Sequence, residues 1–121
     1  GIVCPVNMII GFPDETEAEM MASLEMGKRL VNAGSQNATP LIATPYPGCL
    51  LHDYAVARGH LDPNFDPDLL NWKTCVMKNT VVPAQRIMEL RDWGWRYMSG
   101  DAHVDARLQA STGARWESGA P

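Results

Sequence analysis

The sequence predicts an α/β fold, and three observations carry that prediction. An unbroken apolar run, Met8-Ile9-Ile10, leads into the turn Gly11-Phe12-Pro13 and then into an amphipathic stretch with acidic residues at its start. A second apolar pair, Leu41-Ile42, follows that stretch and leads into a second turn, Thr44-Pro45-Tyr46-Pro47-Gly48, and a second helical pattern. Strand and helix therefore alternate. Two strands joined through a helix should be parallel, with a right-handed crossover.

The first strand is predicted over about residues 2–11. Its continuous apolar run fits a strand covered on both faces. Gly11 permits a positive φ or a close backbone approach, and Pro13 cannot continue a ladder. The first helix is predicted over about residues 15–32. Two capping boxes are available at its start, Asp14 with Glu17 and Thr16 with Glu19. Asp14, Glu15, Glu17 and Glu19 can also be read as a carboxylate cluster, but at a helix start they suit the positive end of the dipole. Met20, Met21, Leu24, Gly27, Leu30 and Val31 recur at three- and four-residue steps and predict one buried stripe. Gly34 follows as a helix stop.

The second strand is predicted over about residues 38–44. The Pro/Gly-rich turn after it is rigid. A helix follows over about 49–58, ended by Gly59. Residues 60–71 read as irregular, anchored by Leu61, Phe65, Leu69 and Leu70. Residues 71–82 read as a short strand or a pinned loop. Pro83 suits the first turn of a helix running to about Met98, with Thr80 as a weaker cap candidate. Ile87, Leu90, Gly94 and Tyr97 or Met98 line its inner face, and Trp93 and Trp95 fall off that stripe. After Gly100, residues 101–108 read as one or two helical turns. Residues 109–121 are small, polar and Gly/Pro-punctuated, and read as a flexible tail.

Composition bounds the function classes. The 121 residues allow one domain, and a hydrophobic fraction of 45% supports a packed core. A formal net charge of −4 argues against a general nucleic-acid surface, which needs clustered Lys and Arg. No apolar run approaches the roughly 20 residues of a membrane span, and the first residues do not resemble a signal peptide. Cys4, Cys49 and Cys75 fit no zinc or iron–sulfur spacing, and their odd number suggests a reducing, cytoplasmic setting. His52, His60 and His103 share no ligand spacing. Asp62, Asn64, Asp66 and Asp68 lack the glycine and closing Glu of a calcium loop. Two parallel strands alone do not make a stable sheet. The start at Gly1, close to the first strand, is therefore read as a cut through a larger protein whose N-terminal part supplies the neighbouring strands.

The two turns also resemble a known family. Met8-Ile9-Ile10-Gly11-Phe12-Pro13-x-Glu15-Thr16-Glu17 resembles the I-x-G-F-P-G-E-T-E segment of radical S-adenosylmethionine (SAM) enzymes. Thr44-Pro45-Tyr46-Pro47-Gly48-Cys49-x-Leu51-x-x-Tyr54-Ala55 resembles the T-P-Y-P-G-T-x-L-Y-x-Y-A segment that follows in that family, and Arg58-Gly59-His60-Leu61 looks like its next motif. Order and spacing both match. The stretch from Leu70-Asn71-Trp72 to Val82-Pro83 looks like the C-terminal region of members that carry a cobalamin-binding domain. Two positions depart from the pattern. Asp14 stands where the family has Gly, and Cys49 where Thr is common, at the expense of a helix cap.

The resemblance implies the C-terminal βα units of a partial (β/α)6 TIM-like barrel, over residues 1–61. A C-terminal helical extension follows over 62–108, then the tail 109–121. It implies a [4Fe-4S] cluster that reductively cleaves S-adenosylmethionine for radical chemistry on a small-molecule or peptide substrate. Methyl transfer, cobalamin-dependent or not, cyclisation and thiolation are all open. The cluster's C-x₃-C-x₂-C loop is absent. Cys4 and Cys49 are 45 positions apart and Cys49 and Cys75 are 26 apart, so they cannot replace it. The resemblance assigns this chain one wall of the SAM cavity: Ile9 near the adenine, Gly11 where the backbone passes the cofactor, and Ala43 and Thr44 at the end of the next strand. It assigns no catalytic residue and no metal ligand. The alternative is a non-catalytic α/β module that docks a partner through the Trp93/Trp95 helix.

Overall fold

The computed structural model describes residues 1–111. In chain order the elements are β1 (Val6–Ile10), α1 (Glu17–Asn32), β2 (Ala38–Ile42), α2 (Leu50–Ala57), α3 (Ala84–Ser99) and α4 (Asp101–Ser111), with a short 3-10 turn at Pro67–Leu69. β1 and β2 are parallel and in register, with Val6 beside Ala38 and Ile10 beside Ile42. This is the predicted β–α–β unit, with strands shorter than the apolar runs suggested.

Thr16, not Asp14, caps α1. Its side chain accepts the Glu19 N–H, and the Glu19 carboxylate accepts the Thr16 N–H at 2.8 Å. Asp14 instead accepts a hydrogen bond from the Tyr54 hydroxyl. The inner stripe of α1 is Met20, Leu24 and Gly27. Leu30, placed on that stripe by its spacing, stays exposed, while its neighbour Val31 packs half-buried against the core.

α3 packs back on β2 and α1, so it belongs to the core and shares it with Ile10, Ile42 and Leu24. Two glycines permit the close α1–α3 approach. A Cβ on Gly94 would lie 2.6 Å from Leu24 Cδ2, and one on Gly27 would strike the Met98 sulfur. Thr80 does not cap α3, since its hydroxyl donates to the Val82 carbonyl. After Gly100, α4 runs to Ser111, further than the one or two turns predicted and into the first residues expected to be tail. The rest of that expected tail, 112–121, lies outside the described residues.

Residues 60–82 form a pinned loop. Three Asx turns shape it: Asp62, Asp66 and Asn71 each accept a backbone N–H two residues on. Its two arms are tied to each other: Lys78 N–H donates to the His60 carbonyl at 2.8 Å while His60 Nδ1 lies 2.9 Å from the Lys78 carbonyl. The loop is held to the body where the Val81 N–H donates to the Pro13 carbonyl at 2.9 Å and where the Ile42 N–H donates to the Trp72 carbonyl at 2.8 Å. The Arg91 guanidinium lies 5.2 Å from the Trp72 ring and 5.3 Å from the Trp95 ring, which clamps this loop to α3.

The strand β1 is not covered on both faces as its apolar run predicted. Ile10 is fully buried toward α1 and α3, but Ile9 is 49% exposed and Asn7 is exposed. Both helices lie on one side of the sheet, so the alternate residues of β1 face nothing within the described residues.

Candidate functional site

Parallel pairing brings the C-terminal ends of β1 and β2 together, the end at which α/β sheets carry their ligand groups. Ile10 pairs with Ile42, and the ladder continues one step, with the Ala43 N–H donating to the Ile10 carbonyl at 2.8 Å. The two turns singled out in the sequence are thus neighbours in space.

Ile9 presents an apolar side chain on the uncovered face, beside half-buried Leu41 in register. Gly11 is buried with φ 90°, and its N–H donates to Glu15 Oε1 at 2.7 Å. A Cβ there would lie 2.8 Å from Ile87 Cγ2. The packing demand for glycine at this position thus comes from α3, on the helix side of the sheet. Ala43 is 4% exposed. The Thr44 hydroxyl donates to the Ile42 carbonyl at 2.8 Å, with the Asn71 carbonyl 3.3 Å away, so it is engaged within the chain. Of the four residues the resemblance points to, Ile9 is the one with a bare side chain. The other three shape the backbone at the strand ends.

Sequence reasoning missed the contact that ties the two turns together. The Tyr54 hydroxyl on α2 donates to Asp14 in the turn after β1, forty positions away. That bond, followed by desolvation, raises the Tyr54 phenol above its ordinary value of 10.0. Tyr54 also stacks on His60 at 6.1 Å and carries the Arg58 guanidinium 5.1 Å from its ring. Asp14, the departure from the family pattern, therefore has a structural role. A cavity of about 370 Å³ opens beside this bond, lined by Phe12, Pro13, Asp14, Leu50, Leu51 and Tyr54. Cys49 precedes α2 without a side-chain cap bond, as its substitution for Thr implies.

Among the described residues no group of three or more His, Cys, Asp or Glu side chains could hold a metal ion. Cys4 is exposed, Cys49 half-buried and Cys75 buried, and all are free thiols. Trp93 and Trp95 do not form one surface. Trp93 stacks on Tyr97 at 4.7 Å, whereas Trp95 lies with Arg91. No described helix is long and apolar enough to cross a membrane.

The chain is similar to the uncharacterized methyltransferase PH0819 of Pyrococcus horikoshii, with 46% identity over 55 residues. The match covers 46% of this chain and 11% of that protein. No family model matches the sequence, and no solved structure matches it.

Proposed function

We propose that this chain is part of a radical SAM methyltransferase and forms one wall of its SAM and substrate cavity. The observation that carries the reading is the pairing of Ile10 with Ile42, which sets the Gly11 and Thr44 turns side by side at the C-terminal end of one sheet. Both turns resemble radical SAM motifs, and the relative's name adds methyl transfer, which favours that outcome over cyclisation or thiolation. The strands would be the last two of a partial (β/α)6 barrel.

The residues present fit a SAM wall. Ile9 offers a bare apolar side chain on the face away from the helices, suited to an adenine ring. Glu15 holds the Gly11 amide, and Ala43 and Thr44 hold the neighbouring strand end, so the wall is pre-set. When bound, SAM supplies the methyl group or the 5′-deoxyadenosyl fragment. The residues present do not fit a [4Fe-4S] cluster, because the three cysteines are dispersed and no ligand group exists among the described residues. Cluster ligands, and any cobalamin site, belong to other parts of the protein. This chain contributes binding and water exclusion, and no proton or electron transfer step is assigned to it.

The test is anaerobic expression of the full-length protein, reconstitution with iron and sulfide, and assay for SAM cleavage. We expect 5′-deoxyadenosine or S-adenosylhomocysteine, and a weaker SAM affinity in Ile9→Glu with cluster content unchanged. A verified cluster with no SAM binding or cleavage overturns the reading.

A further inference from the structure

α3 and α4 meet at a second cavity, of about 340 Å³, lined by Arg91, Asp92, Trp95 and Arg96 of α3 and by Val104 and Leu108 of α4. It shares no residue with the cavity beside Tyr54 or with the proposed SAM wall. Its size falls within the range of small-molecule pockets, about 300–1,000 Å³. Two nitrogen donors on its lining are buried and have no hydrogen-bond partner among the described residues, Arg91 Nε and Trp95 Nε1. Arg91 is only 8% exposed, and a buried donor left unpaired is costly. Its guanidinium is a planar fork whose edges are used differently. Nη1 donates to Asp92 at 2.8 Å. The edge that carries Nε, which can pair side-on with a carboxylate, is open. The Trp72 and Trp95 rings, 5.2 Å and 5.3 Å from the guanidinium, fix its orientation in advance of any ligand.

We propose that the α3–α4 cavity binds a small amphiphilic monocarboxylate, with its carboxylate on Arg91 Nε and Trp95 Nε1 and its apolar body against Val104 and Leu108. Charge selects the monoanion. Arg96 Nη1 already donates to Asp101 at 3.3 Å and to Asp105 at 2.9 Å. With Asp92, three carboxylates then stand around two guanidiniums, so a dianion such as phosphate is repelled. A single carboxylate meets the one open edge of Arg91, the buried cation, whose partner Asp92 is 72% exposed and screened by water. Fully buried Val104 and half-exposed Leu108 give the rest of the ligand an apolar wall. The inference goes beyond the proposed function and needs neither SAM nor a cluster.

Calorimetric titration of the full-length protein with octanoate, octanamide and inorganic phosphate tests it. We expect saturable one-to-one binding of octanoate, at least about tenfold tighter than octanamide or phosphate, as for a hydrogen bond to a charged group. Trp95→Phe removes one donor and keeps the ring, and should weaken octanoate by a similar factor. Leu108→Asp, at a half-exposed position, sets a like charge beside the ligand and should also weaken it, with thermal unfolding unchanged. Absence of octanoate binding overturns the proposal, since the two donors would then serve water or another part of the protein. Octanamide or phosphate bound as tightly as octanoate overturns it too, because the pocket would not be reading a single carboxylate charge. Wild-type affinity in either variant places octanoate elsewhere and has the same consequence. Octanoate binding by a reconstituted protein that does not cleave SAM keeps this inference and rejects the functional reading; the reverse result does the opposite.

Discussion

The Ser99 hydroxyl satisfies both backbone groups of Ala38, standing in for a neighbouring strand at the start of β2. Ala38 is fully buried, so neither group has water as an alternative partner. The contact also fixes the end of α3 against the sheet.

Ser99→Ala should therefore destabilise the protein by about 1–3 kcal/mol, the usual cost of stranding buried backbone groups. Urea unfolding followed by circular dichroism measures it. Ser99→Thr keeps the hydroxyl and should retain more of the stability than Ala. Equal losses for the two would mean that the bonds carry nothing.

The α1–α3 contact depends on Gly94 having no side chain over Leu24. Gly94→Ala should cost about 1–3 kcal/mol through overpacking, despite the better helix propensity of Ala. Leu24→Ala alone should cost about 2–5 kcal/mol. The double variant should be more stable than the sum of the two losses, because the new methyl enters the space Leu24 leaves. Simple additivity in thermal unfolding would contradict this.

The Asp14–Tyr54 bond makes a pH prediction. The folded phenol is raised above 10.0, first by the hydrogen bond to Asp14. A raised folded pKa means that the neutral phenol is favoured in the folded protein. Its stabilising effect is fully present below pH 10 and is lost as pH rises through the folded value. Asp14→Asn should bring the Tyr54 titration back toward 10.0 in phenolate absorbance near 295 nm. Tyr97 should keep its own raised value, which comes from its hydrogen bond to Glu25. An unchanged titration in Asp14→Asn would remove Asp14 as the cause.

The cysteines should separate by reactivity. Burial pushes the Cys75 thiol above its ordinary value of 9.0, whereas Cys4 is exposed. Ellman's reagent at pH 8 should label Cys4 at least about tenfold faster than Cys75, since the thiolate is the nucleophile. Peptide mapping assigns the sites. Comparable rates would show that the pinned loop around Cys75 opens readily.

By itself the sequence determined the order of strands and helices, their parallel connection, the glycines that end the helices and the two turns that meet at the candidate site. These rest on bonds spanning only a few residues, such as Thr16 with Glu19, and on apolar spacing that follows from helix and strand geometry. Only the tertiary structure decided which face of β1 is covered, because an apolar run looks the same with one neighbour or two. It also decided that Gly11 is demanded by Ile87, that Asp14 serves Tyr54 and not the helix start, and that Ser99 and Trp72 close the outer edge of β2. Each of those contacts joins residues at least thirty positions apart. No local propensity encodes such a meeting; it arises when α2, α3 and the loop between them pack against the sheet.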